Sequence, residues 1–210
     1  MYSLYYSPGA ASLAVHWMLI ELGVPHELKK VDMEAGEHRG PAYLKLNPNG
    51  LVPTLVVDGT PLYEGAALMM LLAERHPQAG FAPPVGSPRR GLYMTWMIHL
   101  SNTLQAAYRD WFYPNRQAGP GNVDAVKESN RAKIEACWDR IETQIRAGGP
   151  YLVGDRVEAV DFLATMLMRW SRNMPKPATE WSTLANYVAR MKARPSFRTL
   201  YAREGLTEWA

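Results

Sequence analysis

The stretch LYYSPGAASLA, residues 4–14, carries hydroxyl groups suited to chemistry, among them those of Tyr6 and Ser12. It contains no charged residue, no cysteine and no histidine. A hydroxyl group donates a hydrogen bond readily to an anion. Ser7-Pro8-Gly9 is typical of a tight turn, so the stretch predicts a strand that turns sharply into a helix. If this turn is an active site, its hydroxyl oxygens are the side-chain atoms that can act.

The histidines and the cysteine form no metal-binding or redox pattern. No two histidines have the His-x-x-x-His spacing, and none lies near Cys137, the single cysteine, in the sequence. One cysteine allows neither an intrachain disulfide nor a Cys-x-x-Cys pair. The sequence therefore predicts no metal site and a reducing, cytoplasmic location. The histidines are His16, His26, His38, His76 and His99.

Composition places the protein among ordinary globular proteins. Of its 210 residues, 47% are apolar and 20% are charged, with a formal net charge of +3. This charge suits a small anionic ligand, and it is too weak and too scattered to predict nucleic-acid binding. No apolar run approaches the length of a membrane span, and the N-terminus does not resemble a signal peptide. We therefore expect no nucleic-acid partner and no membrane association.

The hydrophobic patterns divide the chain into two parts. Residues 1–78 alternate strand and helix signals, with a one-faced amphipathic helix after the first turn and a hairpin at Asp58-Gly59. Residues 79–88 include FAPPVGSP, which breaks the periodicity and predicts a linker. Residues 89–210 read as helical throughout, with a core-facing stripe in residues 123–147. The predicted order is a βαβ plus ββα domain, then an all-helical domain.

Several motifs in this order resemble the glutathione S-transferase superfamily. They are YYSPGAASLA at the start, NPNGLVPTLVVDGTPLYEGAAL at 47–68, VGDRVEAVDFL at 153–163 and RPSFRTLYAREGL at 194–206. The opening is similar to bacterial members, and residues 36–50 are also similar to plant-type members. The resemblance implies an α/β thioredoxin-like N-terminal domain and an all-α C-terminal helical bundle. It also implies a homodimer that uses glutathione as co-substrate without a metal.

The resemblance implies a glutathione site built largely from backbone groups. In the family a cis bond at Val52-Pro53 turns the Val52 N–H and C=O towards the cysteinyl part of glutathione, like an added strand, with Leu51 beside it. Glu64 and Gly65 start a helix whose N-terminus suits the γ-glutamyl carboxylate. The family usually has Ser or Thr where this protein has Gly65, which predicts weaker glutathione binding. His38 and Lys45 are the residues implied for the glycyl carboxylate.

The family ionises the glutathione thiol with a tyrosine, a serine or a cysteine near the first turn. Ala11 stands where the most similar bacterial sequences have cysteine, which excludes the cysteine mechanism. Ser12, at the helix start, is ranked first as the hydroxyl donor and Tyr6, at the strand end, second. A third alternative is that neither hydroxyl is catalytic. Gly9 and Ala11 are expected to line the co-substrate site.

The helical domain is expected to supply an apolar wall for an electrophilic co-substrate, with Leu104, Tyr108 and Trp111 as its contacts. Similar bacterial sequences carry an asparagine and a histidine on this helix. Counting from Trp96, those positions are Ile98 and Gln105 in this protein. Asp161 follows Glu158 in a pattern similar to the family's capping box, so its predicted role is structural.

The function implied is conjugation of the glutathione thiolate to small hydrophobic electrophiles. Two alternatives stay open at this point. One keeps glutathione as a coenzyme for isomerisation, dehalogenation or peroxide reduction. The other is a non-catalytic protein that retains the fold for binding or regulation, which Ala11 and Gly65 favour and the retained Val52, Pro53 and Glu64 oppose.

Overall fold

The computed structural model describes residues 1–119 and 121–209. Contacts between Cα atoms divide the protein into two compact units. The first unit comprises Met1–Ala82 and the C-terminal segment that begins at Lys192, and the second comprises Pro83–Met191.

The first unit is built on a four-stranded mixed sheet. Its strands are β1 (Tyr2–Tyr6), β2 (His26–Lys30), β3 (Thr54–Val57) and β4 (Thr60–Tyr63), in the spatial order β2-β1-β3-β4. β1 runs parallel to β2 and antiparallel to β3. The β3–β4 hairpin turns at Asp58 (φ +50°) and Gly59 (φ +88°), as Asp-Gly predicts. This is the predicted thioredoxin-like arrangement.

Helices connect and cover the strands of the first unit. α1 (Leu13–Glu21) follows β1, α2 (Pro41–Leu44) lies between β2 and β3, and α3 (Gly65–Arg75) follows β4. The C-terminal helix α9 (Pro195–Glu204) belongs to the same unit.

Packing of α9 against α1 differs from what the sequence predicted. Every residue from Leu13 to Leu19 is buried, so α1 is not the one-faced amphipathic helix expected. The Trp17 indole N–H donates to the Ser196 hydroxyl (2.8 Å), and the Trp17 and Phe197 ring centroids are 5.2 Å apart. Because α9 packs on α1, the C-terminal segment groups with the first unit and not with the helical domain predicted at 89–210. The linker predicted at 79–88 stays a prediction.

The second unit is helical. Its helices are α4 (Pro88–Ile98), α5 (Gln105–Phe112), α6 (Val123–Gly148), α7 (Ala159–Trp170) and α8 (Ser182–Lys192). A π-helical segment, His99–Leu104, joins α4 to α5 without a break. The predicted α6 stripe is buried at Ile134, Trp138, Ile141 and Ile145.

Asp161 fixes the start of α7, as the sequence predicted. Its carboxylate accepts hydrogen bonds from the Leu152 N–H (3.0 Å), the Glu158 N–H (2.8 Å) and the Tyr187 hydroxyl (2.9 Å). One buried carboxylate thereby holds the preceding loop and α8 against the first turn of α7.

Within residues 1–119 and 121–209, no helix has both the length and the apolar character needed to cross a bilayer.

Replacing Phe197 by alanine tests whether α9 stabilises the first unit. Phe197 is buried against Trp17, so Phe197→Ala is expected to lower the free energy of unfolding by about 3–5 kcal/mol, measured by urea denaturation. Arg198→Ala, an exposed change on the same helix, is the control and should stay within about 0.5 kcal/mol of wild type. Equal effects of the two changes would contradict this role of α9.

Candidate active site

The turn between β1 and α1 has the predicted form. Gly9 adopts φ +68°, a left-handed conformation that glycine adopts without steric cost, and the Ala10 N–H donates to the Ser7 C=O (3.1 Å). Among the described residues, the Ala11 backbone N–H has no hydrogen-bond partner. The turn therefore presents a backbone donor just before α1 begins.

Ser12 uses its hydroxyl inside the turn. The side chain is fully buried, and its oxygen both donates to the Ser7 C=O and accepts from the Ser7 N–H, at 3.2 Å each. With its proton committed to Ser7, the hydroxyl ties the two ends of the turn together. This geometry does not support the ranking of Ser12 as the first candidate for a donor to a ligand.

Glu204, on α9, is a residue of this region that the sequence reasoning missed. Its buried carboxylate accepts from the Gly9 N–H (2.8 Å) and contacts His16 Nδ1 (2.7 Å). Glu204 belongs to the C-terminal motif RPSFRTLYAREGL, but nothing in that motif indicates that its side chain contacts the turn between β1 and α1. Glu204 thereby positions Gly9, which was expected to contact the substrate.

Tyr6 lies on the buried side of β1. Its ring centroid is 5.7 Å from that of His16, and no hydrogen bond engages its hydroxyl among the described residues. Burial, and secondarily the negative charge of Glu204, raises the pKa of the Tyr6 hydroxyl. Tyr6 is thus a free donor in surroundings that disfavour its ionised form.

The loop before β3 is held in shape by buried hydrogen bonds. The Tyr43 hydroxyl (2.6 Å) and the Asn47 amide (2.8 Å) both donate to the Leu51 C=O. Both side chains also contact the Thr54 hydroxyl, at 2.9 and 3.2 Å. The Val52–Pro53 bond is cis.

The backbone groups of Val52 remain free as a result of this arrangement. Among the described residues, its N–H and C=O have no hydrogen-bond partner, while its side chain is buried in a cluster with Val31 and Tyr43. The Leu51 side chain next to it is exposed. An extended ligand could pair with Val52 as a strand pairs with a sheet edge.

The start of α3 lies next to both of these elements. Glu64, exposed, adopts φ +71° and ψ +98°, a conformation that residues with a side chain rarely adopt. A Cβ atom built on Gly65 would lie 3.7 Å from Pro53 Cγ and 3.8 Å from the Ala11 C=O. The structure therefore brings together Ala11, Pro53 and the N-terminus of α3, where unpaired N–H groups favour an anion.

His38 and Lys45 differ in accessibility. His38 is 9% exposed, its Nε2 accepts from Arg39 Nε (3.1 Å), and its Nδ1 is buried without a partner. Lys45 lies exposed at the end of α2. Of the two, only Lys45 presents a free charged group to solvent.

In the second unit, two of the three predicted co-substrate contacts are core residues. Leu104 and Tyr108 are fully buried, and the Tyr108 hydroxyl accepts from the Trp138 indole N–H (3.1 Å). This burial does not support the contact role that the sequence suggested for them, because a helix-spaced aromatic stripe packs most simply into a core. Trp111 is half-buried, with Lys127 Nζ 5.5 Å from its ring centroid.

Exposed aromatic side chains lie at the end of α5 instead. Phe112 is 43% exposed and Tyr113 is 57% exposed. The Phe112 ring centroid is 6.2 Å from that of Trp170, at the end of α7. Trp170 was not predicted from the sequence, because its proximity to Phe112 arises only from the packing of α7 beside α5.

Across residues 1–119 and 121–209, no three side chains of His, Cys, Asp or Glu are grouped to hold a metal ion. Cys137 is a buried free thiol.

Comparison with known proteins identifies relatives of this chain. Residues 10–75 match the family model described as "Glutathione S-transferase, N-terminal domain". Over 205 residues the protein is 29% identical to a protein of Escherichia coli O157:H7 named glutathione S-transferase GstA, covering 97% of this chain and 98% of the relative.

Solved structures extend the likeness to the whole protein. The crystal structure of a glutathione transferase from Methylococcus capsulatus str. Bath is 30% identical, with a TM-score of 0.88 over 99% of this chain and 100% of that one. A glutathione transferase homologue from Sulfitobacter with bound glutathione is 26% identical, with a TM-score of 0.89 over 99% of each chain. Sequence identity, full-length coverage and a shared fold together establish that the protein belongs to the glutathione S-transferase superfamily.

Proposed function

We propose that the protein is a glutathione transferase that joins the glutathione thiolate to a small hydrophobic electrophile. The observation that carries the proposal is the meeting of Ala11, the cis Val52–Pro53 segment and the N-terminus of α3 around one point of the first unit. The activity named for its relatives and the glutathione bound to the Sulfitobacter homologue support it. The homodimer remains a prediction from the resemblance.

Each part of glutathione has a complementary group in the first unit. The free Val52 N–H and C=O suit its cysteinyl backbone. The unpaired N–H groups at the start of α3 suit the γ-glutamyl carboxylate, and the Glu64 carboxylate suits the α-amino group. We assign the glycyl carboxylate to Lys45, because His38 is buried and its Nε2 is engaged by Arg39.

We assign stabilisation of the thiolate to the Ala11 backbone N–H at the start of α1. A hydrogen bond to the ionised sulfur, together with the positive end of the helix dipole, lowers the thiol pKa. Ala11 adjoins Gly65, whereas Tyr6 packs against His16 and senses the charge of Glu204. In this assignment Ser12 holds the turn in shape through its hydrogen bonds to Ser7. The Tyr6 hydroxyl is the alternative hydrogen-bond donor to the thiolate.

The chemistry that follows is nucleophilic attack. The thiolate sulfur supplies the electron pair that forms a C–S bond with the electrophilic carbon, and the leaving group departs with its own bonding pair. We propose that the exposed aromatic side chains Phe112 and Tyr113 of the second unit supply apolar contact for the electrophile, with the half-buried Trp111 and Trp170 beside Phe112.

Calorimetric titration with glutathione and a chlorodinitrobenzene conjugation assay test the proposal. We expect saturable binding and turnover by the full-length protein. Absence of binding at millimolar glutathione would refute the proposal and favour a non-catalytic protein. Binding without conjugation of any electrophile tried would favour glutathione as a coenzyme for another reaction.

Gly65→Ser tests the assignment of the α3 N-terminus. The added hydroxyl restores a donor for the γ-glutamyl carboxylate, and a hydrogen bond to a charged group contributes roughly 1.5–3 kcal/mol. The new Cβ meets only ordinary van der Waals contacts. We therefore expect glutathione to bind about tenfold or more tightly, measured by calorimetry. Gly65→Ala adds the same Cβ without the hydroxyl and should leave the affinity near wild type; an equal gain in both variants would contradict the assignment.

Ser12→Ala and Tyr6→Phe separate structure from chemistry. Removing the Ser12 hydroxyl leaves the Ser7 N–H and C=O without that partner, so we expect a loss of about 1–3 kcal/mol of stability. Tyr6→Phe removes a hydroxyl with no partner and should change stability little. With the Ala11 N–H as donor, the pKa of bound glutathione, followed by thiolate absorbance, stays unchanged in Tyr6→Phe; a marked rise would identify Tyr6 as the donor instead.

A further inference from the structure

The start of α7 contains a buried carboxylate that the proposed reaction does not use. We propose that Glu158 is a proton-linked switch for the stability of the helical unit: protonation of its buried carboxylate stabilises the fold, and Arg89 of α4 holds the ionised form. This inference is independent of the proposed function.

Glu158 occupies the cap position of α7, where the family pattern has a hydroxyl residue. Its carboxylate is buried, with 1% of the side chain exposed. Glu158 and Asp161 form the capping box of α7: the Glu158 side chain faces the Asp161 N–H, and the Asp161 carboxylate accepts from the Glu158 N–H. The well-aligned hydrogen bond of the Asp161 N–H nevertheless goes to the Glu158 backbone carbonyl oxygen (3.0 Å). Neither carboxylate oxygen of Glu158 has a well-aligned donor among the described residues.

The Arg89 guanidinium is the cation closest to this carboxylate. Its Nη2 lies 3.4 Å from Glu158 Oε1, and its Nη1 lies 3.6 Å from the exposed carboxylate of Asp155. A Cβ atom at Gly154 would be 2.8 Å from Arg89 Nη1, so the guanidinium is packed directly against the Gly154 backbone. A side chain at residue 154 would displace the guanidinium from this position.

The charges around Glu158 oppose one another. Burial has the largest effect and raises the pKa of the Glu158 carboxyl, as do the negative charges of Asp161 and Asp155. The positive charges of Arg89 and Arg156 lower it. The net result raises the pKa of the Glu158 carboxyl from 4.5 to about 7. The Asp161 carboxylate differs from that of Glu158, since it accepts well-aligned hydrogen bonds from the Leu152 N–H, the Glu158 N–H and the Tyr187 hydroxyl.

The direction of the pH effect follows from this shift. A carboxyl group whose pKa is higher in the folded than in the unfolded protein stabilises the fold fully below the unfolded value. That contribution is lost as the pH rises from about 4.5 to about 7. In this interval the ratio of folded to unfolded protein falls by up to about tenfold per pH unit because of Glu158 alone.

Glu158→Gln provides the first test, because the amide imitates the protonated carboxyl at every pH. We expect urea unfolding of the full-length protein to give similar stability for wild type and Glu158→Gln at about pH 5. At about pH 8, the variant should have a ratio of folded to unfolded protein roughly a hundredfold higher than wild type. Parallel pH profiles of the two proteins would overturn the proposal.

Arg89→Gln provides a test that does not depend on the folding of the Glu158 variant. Removing the guanidinium should destabilise the wild-type background several-fold at about pH 8 and hardly at all at about pH 5, where the carboxyl is protonated. Asp155→Asn is the matched control, since it removes the other carboxylate that contacts Arg89, a group that is 88% exposed. An Arg89→Gln effect that is equal at both pH values, or one reproduced by Asp155→Asn, would overturn the proposal.

Discussion

The buried carboxylate of Glu204 is the interaction on which the geometry of the first unit depends. It accepts a hydrogen bond from Gly9 in the turn and contacts His16 on α1, although it lies near the other end of the sequence. A buried carboxylate without partners is costly, so α9 is stable in this position only when the turn and α1 are formed. The same contact holds Gly9 in its left-handed conformation, and with it the backbone of the turn that precedes α1. In the proposed glutathione site, the position of the Ala11 N–H therefore depends on a side chain of α9.

Much of the proposed glutathione site consists of backbone groups, which explains how this protein can differ from its family at Ala11 and Gly65. The Val52 N–H and C=O, the Ala11 N–H and the first N–H groups of α3 are present whatever the side chains are, provided that the local backbone is held. Tyr43 and Asn47 hold it before β3, and Ser12 holds it at the turn. The side chains around the proposed site therefore hold the backbone in place. Replacing one of them is expected to move a backbone N–H group more than it changes the type of donor.

Local sequence patterns predicted the secondary-structure elements. The packing of these elements depends on contacts between residues distant in the sequence, which such patterns do not reveal. The Asp58-Gly59 hairpin and the strands follow from patterns only a few residues long, whereas the cis bond at Val52-Pro53 was implied by the family resemblance. The docking of α9 on α1 was not predictable in this way, because a one-faced pattern does not reveal a second neighbour. Ser12 illustrates the same limit at the site: its position at a helix start suggested a ligand contact, whereas its burial and its bonds to Ser7 make it part of the turn.

The π-helical segment His99–Leu104 has a consequence for the faces that α4 and α5 present. An i→i+5 turn contains about one residue more than an α-helical turn. The helix therefore continues from α4 into α5, but the helical phase of α5 differs from that of α4. Tyr93 and Tyr108, on opposite sides of the segment, both face the core. A helical phase counted from Trp96 holds as far as Ile98 and is shifted by about one residue at Gln105. Gln105 therefore lies on a different face from the one that an unbroken α-helix would give it.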